Sequence, residues 1–308
     1  MRALIVTNMY PSPEHPALGS FVRDQVEALR RLPGVELELY AFDPGGAGAY
    51  VRAAADLRRR YRGASFDVVH AHFGLAAWPA MAIRGGARHV VTLHGTDLAH
   101  PRSRAVTIAA LPFLDLVATV SEALAGEVPK RAGEVSVLPC GVDLERFKPI
   151  PRAEARRALG LGESGPYVLF PASPSRTEKR FDRARSVAAG VRLLALENID
   201  PQQVPLWVNA ANAVLVPSER EGFGLAVLEA LACDVPVLAT PVGIAPKVLT
   251  GVSGAYCGPF DPEVWSRELA PHLGAGDPRI DGRARAEPFA ADRMAERVLR
   301  AWRAIQVN

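Results

Sequence analysis

Cysteine is scarce in this chain. Three thiols in 308 residues (Cys140, Cys233, Cys257), scattered and odd in number, provide neither a disulfide framework nor the paired spacing of a zinc site. Long apolar runs are also missing: no segment approaches the roughly 18 residues that a membrane span needs. The first residues, Met1-Arg-Ala-Leu-Ile-Val-Thr7, carry no charged leader and no cleavage site, so they read as a strand and the expected location is the cytoplasm. Net charge is only +3, too small to argue for a nucleic-acid partner. There is no internal repeat and no low-complexity tract. What remains is a globular composition, 49% hydrophobic and 22% charged. That length supports one large domain or two of about 150 residues. Abundant Arg and Ala fit a GC-rich bacterial genome.

Short apolar runs alternate with helical patterns along the whole chain. Strands are expected at 3–7, 35–42, 68–72, 89–93, 116–120 and 135–138. A second set follows at 167–170, 192–196, 213–216, 235–239 and 254–257. Between the first two runs lies a helical stretch, 21–32, with Phe21, Val22, Val26 and Leu29 on one face. This is the rhythm of parallel sheets covered on both faces. The expected fold is α/β, with two tandem Rossmann-like doubly wound domains. The first covers 1–150 and the second 151–285, with Pro149-Ile-Pro151 as the break. Such domains bind ligands at the carboxyl ends of their strands. If those two faces oppose, the cleft between them is the active site. The tail from 286 to 308 reads as amphipathic helix, with Phe289, Met294, Val298, Leu299 and Trp302 as its apolar set. The stretch 180–196 is tight for a helix plus a strand, so the second domain looks trimmed.

The most informative segment is Glu221-Gly-Phe-Gly-Leu-Ala-Val-Leu-Glu-Ala-Leu-Ala232. An apolar strand precedes it and another follows. A strand, a Gly loop and a helix start aim free backbone N–H groups at one spot, which attracts phosphate. Carboxylates beside that spot suit hydroxyls instead, as on a ribose or hexose. A nucleotide-sugar needs both. Glu221 is thus a candidate for sugar hydroxyls and Glu229 for ribose hydroxyls. The backbone near Gly222, Phe223, Gly224 and Leu225 is the candidate for the diphosphate. The plainer alternative makes Glu221 a helix-start charge and Glu229 a solvated face residue, but Glu229 sits within an apolar run where an unpaired carboxylate is costly.

This segment, with both flanking strands, resembles the donor signature of the family-4 glycosyltransferases. The resemblance implies the GT-B fold, a nucleotide-diphosphate sugar donor, transfer with retention of configuration, and a final helix that crosses back to the first domain. Further motifs extend it over most of the chain. In Pro171-Ala-Ser-Pro-Ser-Arg-Thr-Glu-Lys-Arg180, Lys179 and Arg176 are expected to neutralise the leaving diphosphate. Many family members carry an Arg five residues before the Lys, where this chain has Pro174. The variant loop resembles a branch that includes teichuronic-acid-type transferases of polysaccharide synthesis. Val91-Thr-Leu-His-Gly-Thr-Asp97 resembles the first-domain motif whose His faces the donor sugar. His94 is then catalytic, and Asp97 fixes its tautomer or meets the acceptor. As a bland alternative, Asp97 caps the next helix. Gly19 resembles the glycine that lets backbone approach the donor phosphates, with Ser20 as a helix N-cap. His15 and His72 are expected on the acceptor side. Cys140-Gly-Val-Asp-Leu-Glu-Arg-Phe147 resembles the family's Asn-Gly-Val-Asp element, with Gly141 as a turn glycine, Asp143 as a cap and Phe147 as an anchor.

No metal or other cofactor is expected. His70-Ala-His72 has one-face metal spacing, but no acidic or thiol partner is positioned by sequence. Arg52, Arg58, Arg59, Arg60 and Arg62 on one helix are either a solvated face or a contact for anionic lipid at the inner membrane surface. The expected acceptor is a glycan or a lipid-linked one, in cell-surface polysaccharide or glycolipid synthesis. Two rivals remain: a non-hydrolysing nucleotide-sugar epimerase of GT-B fold, and a catalytically degenerate protein that only binds nucleotide-sugar or glycan.

Overall fold

The structure is a computed structural model that describes residues 1–130, 133–162, 164–274 and 276–307. The chain divides into two compact units. One contains Met1–Glu14, Leu18–Gly141 and Ala291–Asn308, and the other contains His15–Ala17 and Val142–Ala290.

The first unit is built on six parallel strands: β1 (Arg2–Thr7), β2 (Glu36–Ala41), β3 (Val68–His72), β4 (Arg88–Leu93), β5 (Leu116–Thr119) and β6 (Val135–Val137). Their order is β2-β1-β3-β4-β5-β6. The chain therefore reverses its direction of travel between β1 and β3, the place where open α/β sheets bind ligands. All of β3 is buried, as a central parallel strand covered on both faces should be. The helix Ser20–Arg30 lays Val22, Val26, Ala28 and Leu29 on the sheet. The helix Ala291–Val307 adds Met294, Ala295, Val298, Leu299 and Trp302 to the same core. Gly141 lacks the positive φ of a turn glycine. It is needed because a Cβ there would stand 2.8 Å from Ala291 Cα and 2.9 Å from Met294 Cβ, so it admits the last helix at close range.

The second unit carries β7 (Tyr167–Phe170), β8 (Arg192–Ala195), β9 (Ala213–Val216), β10 (Val237–Ala239) and β11 (Tyr256–Cys257), ordered β11-β10-β9-β7-β8 and parallel. Its reversal falls between β7 and β9. Strand β10 starts two residues later than the apolar run, beyond Pro236, which has no N–H for the ladder. The helix between β7 and β8 has only seven residues, Phe181–Val187. Pro149-Ile-Pro151 lies inside this unit. Arg283 donates to the Phe147 and Leu144 carbonyls, and Arg279 to that of Ile150. Asn209 donates to the Lys148 carbonyl and accepts from Ile150 N–H. Asp143 caps its turn through Glu145 and Arg146 N–H, and Phe147 is buried.

Candidate active site

Several of the expected side chains lie on loops that leave the strands beside each unit's reversal point. In the second unit, β7 runs into Pro171–Arg180 and β9 into Pro217–Gly224. Lys179 Nζ lies 2.7 and 2.6 Å from the two carboxylate oxygens of Glu221, and Ser218 Oγ donates to Glu221 Oε1 at 2.7 Å. Both charged side chains are largely buried, with 17% and 7% of their surface exposed. Arg176 turns elsewhere, pairing with Glu178 at 2.7 Å and lying half-exposed. Arg180 holds a left-handed conformation and ties Asp182 to Glu219.

Gly224, left-handed at φ 93°, starts the helix Leu225–Ala232, so the loop from Glu221 leads straight into a helix N-terminus. Phe223 is buried, its ring 6.2 Å from that of Phe289. Gly222 and Glu229 are each partly exposed, and Glu229 stands on the fifth residue of the helix among buried neighbours. Sequence reasoning missed the floor of this loop. Gly243, at φ 60°, fits under Phe223 because a Cβ would meet its carbonyl oxygen at 2.4 Å. Ile244 N–H donates to that same carbonyl at 2.7 Å. Buried Thr240 donates to the Ser218 carbonyl at 2.5 Å. The Pro-Ser and Val-Gly pairs after two apolar strands were the available signals for these positions.

In the first unit, β4 ends at the His94-Gly95 turn. Asp97 is fully buried and spends its carboxylate on backbone N–H groups of His94, Gly95 and Gly74, at 3.0, 2.7 and 3.3 Å. It therefore fastens the loop backbone, and neither helix capping nor the His94 ring engages it. Burial raises its pKa against those hydrogen bonds and one from its own backbone N–H. The ring of His94 meets His72 instead, with His94 Nε2 3.1 Å from His72 Nδ1. His72, expected on the acceptor side, has no exposed surface. It is fully buried, its Nε2 is 3.1 Å from Gln25 Nε2, and its ring stacks on both His70 and His94. His70 is held by Trp302 and Thr92. All four ring nitrogens of the His70-Ala-His72 pair are thus engaged. Among the described residues, no group of three or more His, Cys, Asp or Glu is placed for a metal. Burial pushes His72 down to about 3 and lowers His70 and His94 well below the usual histidine value.

Gly19, at φ 63°, is itself the N-cap of the helix that Ser20 begins, correcting the expectation for Ser20. A Cβ on Gly19 would stand 2.1 Å from the Met9 carbonyl oxygen. His15 is exposed and groups with the second unit.

Residues 5–146 match the family model described as Glycosyltransferase Family 4, and residues 173–274 that described as Glycosyl transferases group 1. A D-inositol 3-phosphate glycosyltransferase from Actinosynnema mirum is 30% identical, over 84% of this chain and 77% of that protein. The chain is a family-4 glycosyltransferase. A second relative of the same name, from Frankia alni, is 28% identical over 77% of this transferase and 74% of its own length. Both are named for transfer to inositol phosphate, and neither carries the teichuronic-acid-type name expected from the loop at 171–180. Two solved structures share the fold. Sucrose-phosphate synthase from Thermosynechococcus elongatus matches with TM-score 0.72 at 21% identity, covering 99% of the transferase and 98% of that chain. Anabaena HepE, solved with UDP-glucose, matches with TM-score 0.70 at 16% identity, covering 99% and 100%. No described helix is long and apolar enough to cross a membrane.

Proposed function

We propose that this transferase moves a glycosyl group from a nucleoside diphosphate donor to an acceptor hydroxyl with retention of configuration. The observation that carries the reading is the buried Lys179–Glu221 pair, placed at the reversal of the second sheet and leading into the helix at Leu225. Donor binding exchanges this ion pair for two better-matched partners. Lys179 turns to the diphosphate, and Glu221 accepts from sugar hydroxyls. Glu229 takes the ribose hydroxyls, and the N–H groups that open the helix take phosphate oxygens. Arg176 leaves Glu178 to share the growing charge.

In the reaction, the bond from the anomeric carbon to the diphosphate oxygen breaks. The departing oxygen takes the acceptor's proton, and the new glycosidic bond forms on the same face. HepE was solved with UDP-glucose, which makes that sugar nucleotide the first donor to test. The relatives' name makes D-inositol 3-phosphate the first acceptor, with a lipid-linked glycan as the second arm. A thermal-shift screen of UDP, GDP and ADP with their sugars identifies the donor, since a ligand specific to the native state raises Tm. Lys179→Ala and Glu221→Ala should each lower kcat/KM by about 10²- to 10³-fold. The product's anomeric proton, read by NMR, should report retention. Inversion, or full activity in both variants, would overturn the assignment.

A further inference from the structure

The hydrogen bonds around β3 determine more than the position of His94. The Gln25 side-chain nitrogen is an amide donor, so the His72 Nε2 that it meets at 3.1 Å is an acceptor. A neutral histidine with Nε2 accepting carries its proton on Nδ1. His72 Nδ1–H therefore points at His94 Nε2, 3.1 Å away, and makes that nitrogen an acceptor in turn. His94 then carries its proton on Nδ1. Of these three side chains, Gln25 and His72 are buried and His94 is partly exposed. The rings of His72 and His94 lie nearly parallel, 5.3 Å apart and inclined by 24°. The other face of the chain is closed by Phe21, whose ring centroid is 4.8 Å from that of His94, and by His70 stacked on His72. The Asp97 carboxylate is committed to backbone N–H groups.

We propose that Gln25, acting through His72, is a positioning residue that fixes His94 as the tautomer protonated on Nδ1. In this tautomer Nδ1, the ring nitrogen that His72 does not engage, can donate to an oxygen of a bound substrate, where the opposite tautomer would offer it only a lone pair. That consequence for turnover rests on the proposed transfer reaction; the tautomer itself does not. Burial keeps all three histidines neutral near pH 7, so tautomer choice is the property left for the protein to set.

The test uses the full chain with ¹⁵N-labelled histidine, read by two-bond ¹H–¹⁵N correlation at about pH 9, above the ordinary histidine range. His94→Gln assigns the signal by its disappearance. In the wild type, His94 should carry its proton on Nδ1. Gln25→Glu keeps the shape but replaces the donor by an acceptor. It should reverse both rings and leave His94 protonated on Nε2. Gln25→Met removes the donor without supplying an acceptor and should give a mixture, which serves if the buried acid prevents folding. With UDP-glucose as the probe, UDP release by Gln25→Glu should fall about 10²-fold in kcat with KM little changed, the scale of one lost preorganised donor. A wild-type proton on His94 Nε2, or a Gln25→Glu ring that keeps the wild-type pattern, overturns the relay. A reversed ring with unchanged UDP release overturns its positioning role. A wild type with the expected ring that releases no nucleoside diphosphate from UDP-, GDP- or ADP-sugars removes the transfer reading and leaves the relay standing.

Discussion

At Gly243 the loop from Glu221 to Gly224 depends on the lack of a side chain. The position combines φ 60° with a Cβ that would press on the Phe223 carbonyl and on Glu221 Cβ, at 2.4 and 2.9 Å. Gly243→Ala should therefore cost about 2 kcal/mol or more, roughly 5 °C in Tm, and displace Glu221 enough to weaken donor binding. Gly34 provides the contrast, because its φ is 75° but nothing lies within 4 Å of a Cβ there. Gly34→Ala should cost only about 1 kcal/mol, the backbone term alone. Equal losses in thermal melts of the two variants would deny the close contact at Gly243. Nothing local separates these glycines in sequence. The difference arises because the chain returns from β10 to lie under a loop that left β9.

At the scale of elements, β3 brings two histidines into a fully covered sheet, and its end meets a third. Burial lowers the pKa of His70, His72 and His94, and His89 and His272 shift the same way. The unfolded chain therefore binds more protons below the ordinary histidine value. Stability from these groups is complete above about pH 6.5 and is lost as pH falls toward the folded values, about 3 for His72. Each group contributes up to about 1.4 kcal/mol per pH unit within its window. Asp97, with its pKa raised, opposes them as one group against five. Urea midpoints should drop steadily from pH 7 to pH 5, and a flat profile would show that the rings are not held neutral. The strand itself was legible from its apolar run, and the shared face of residues 70 and 72 from its period. That both lie buried was not, because the covering groups, Gln25 and Trp302, belong to distant helices.

On the scale of the whole chain, each unit depends on segments remote in sequence. Trp302 is fully buried and donates to His70 Nδ1 at 3.1 Å, 232 residues away. Trp302→Ala should destabilise the first unit by about 3–5 kcal/mol through the cavity alone. Trp302→Phe, which keeps most of the packing and orphans His70, should cost about 1–3 kcal/mol. Urea unfolding followed by circular dichroism measures both, and a loss under about 1 kcal/mol for the alanine variant would mean that this helix does not close the core. The segment 149–151, expected as the break but internal to the second unit, shows the same dependence. Two prolines at 149 and 151 read as a linker, yet Arg279 and Arg283 bind the carbonyls around them from over a hundred residues downstream.

Eleven strands among the described residues, the doubly wound α/β class and the Gly loop at 221–224 were legible in the sequence, because apolar period and turn chemistry act over a few residues. The sequence did not determine what each polar side chain touches. Tertiary structure alone joined Lys179 to Glu221 across 42 positions, assigned Asp97 to backbone N–H groups and buried His72 behind His94. Those outcomes follow from which strand ends become neighbours, and strand order is set by the packing of the whole sheet.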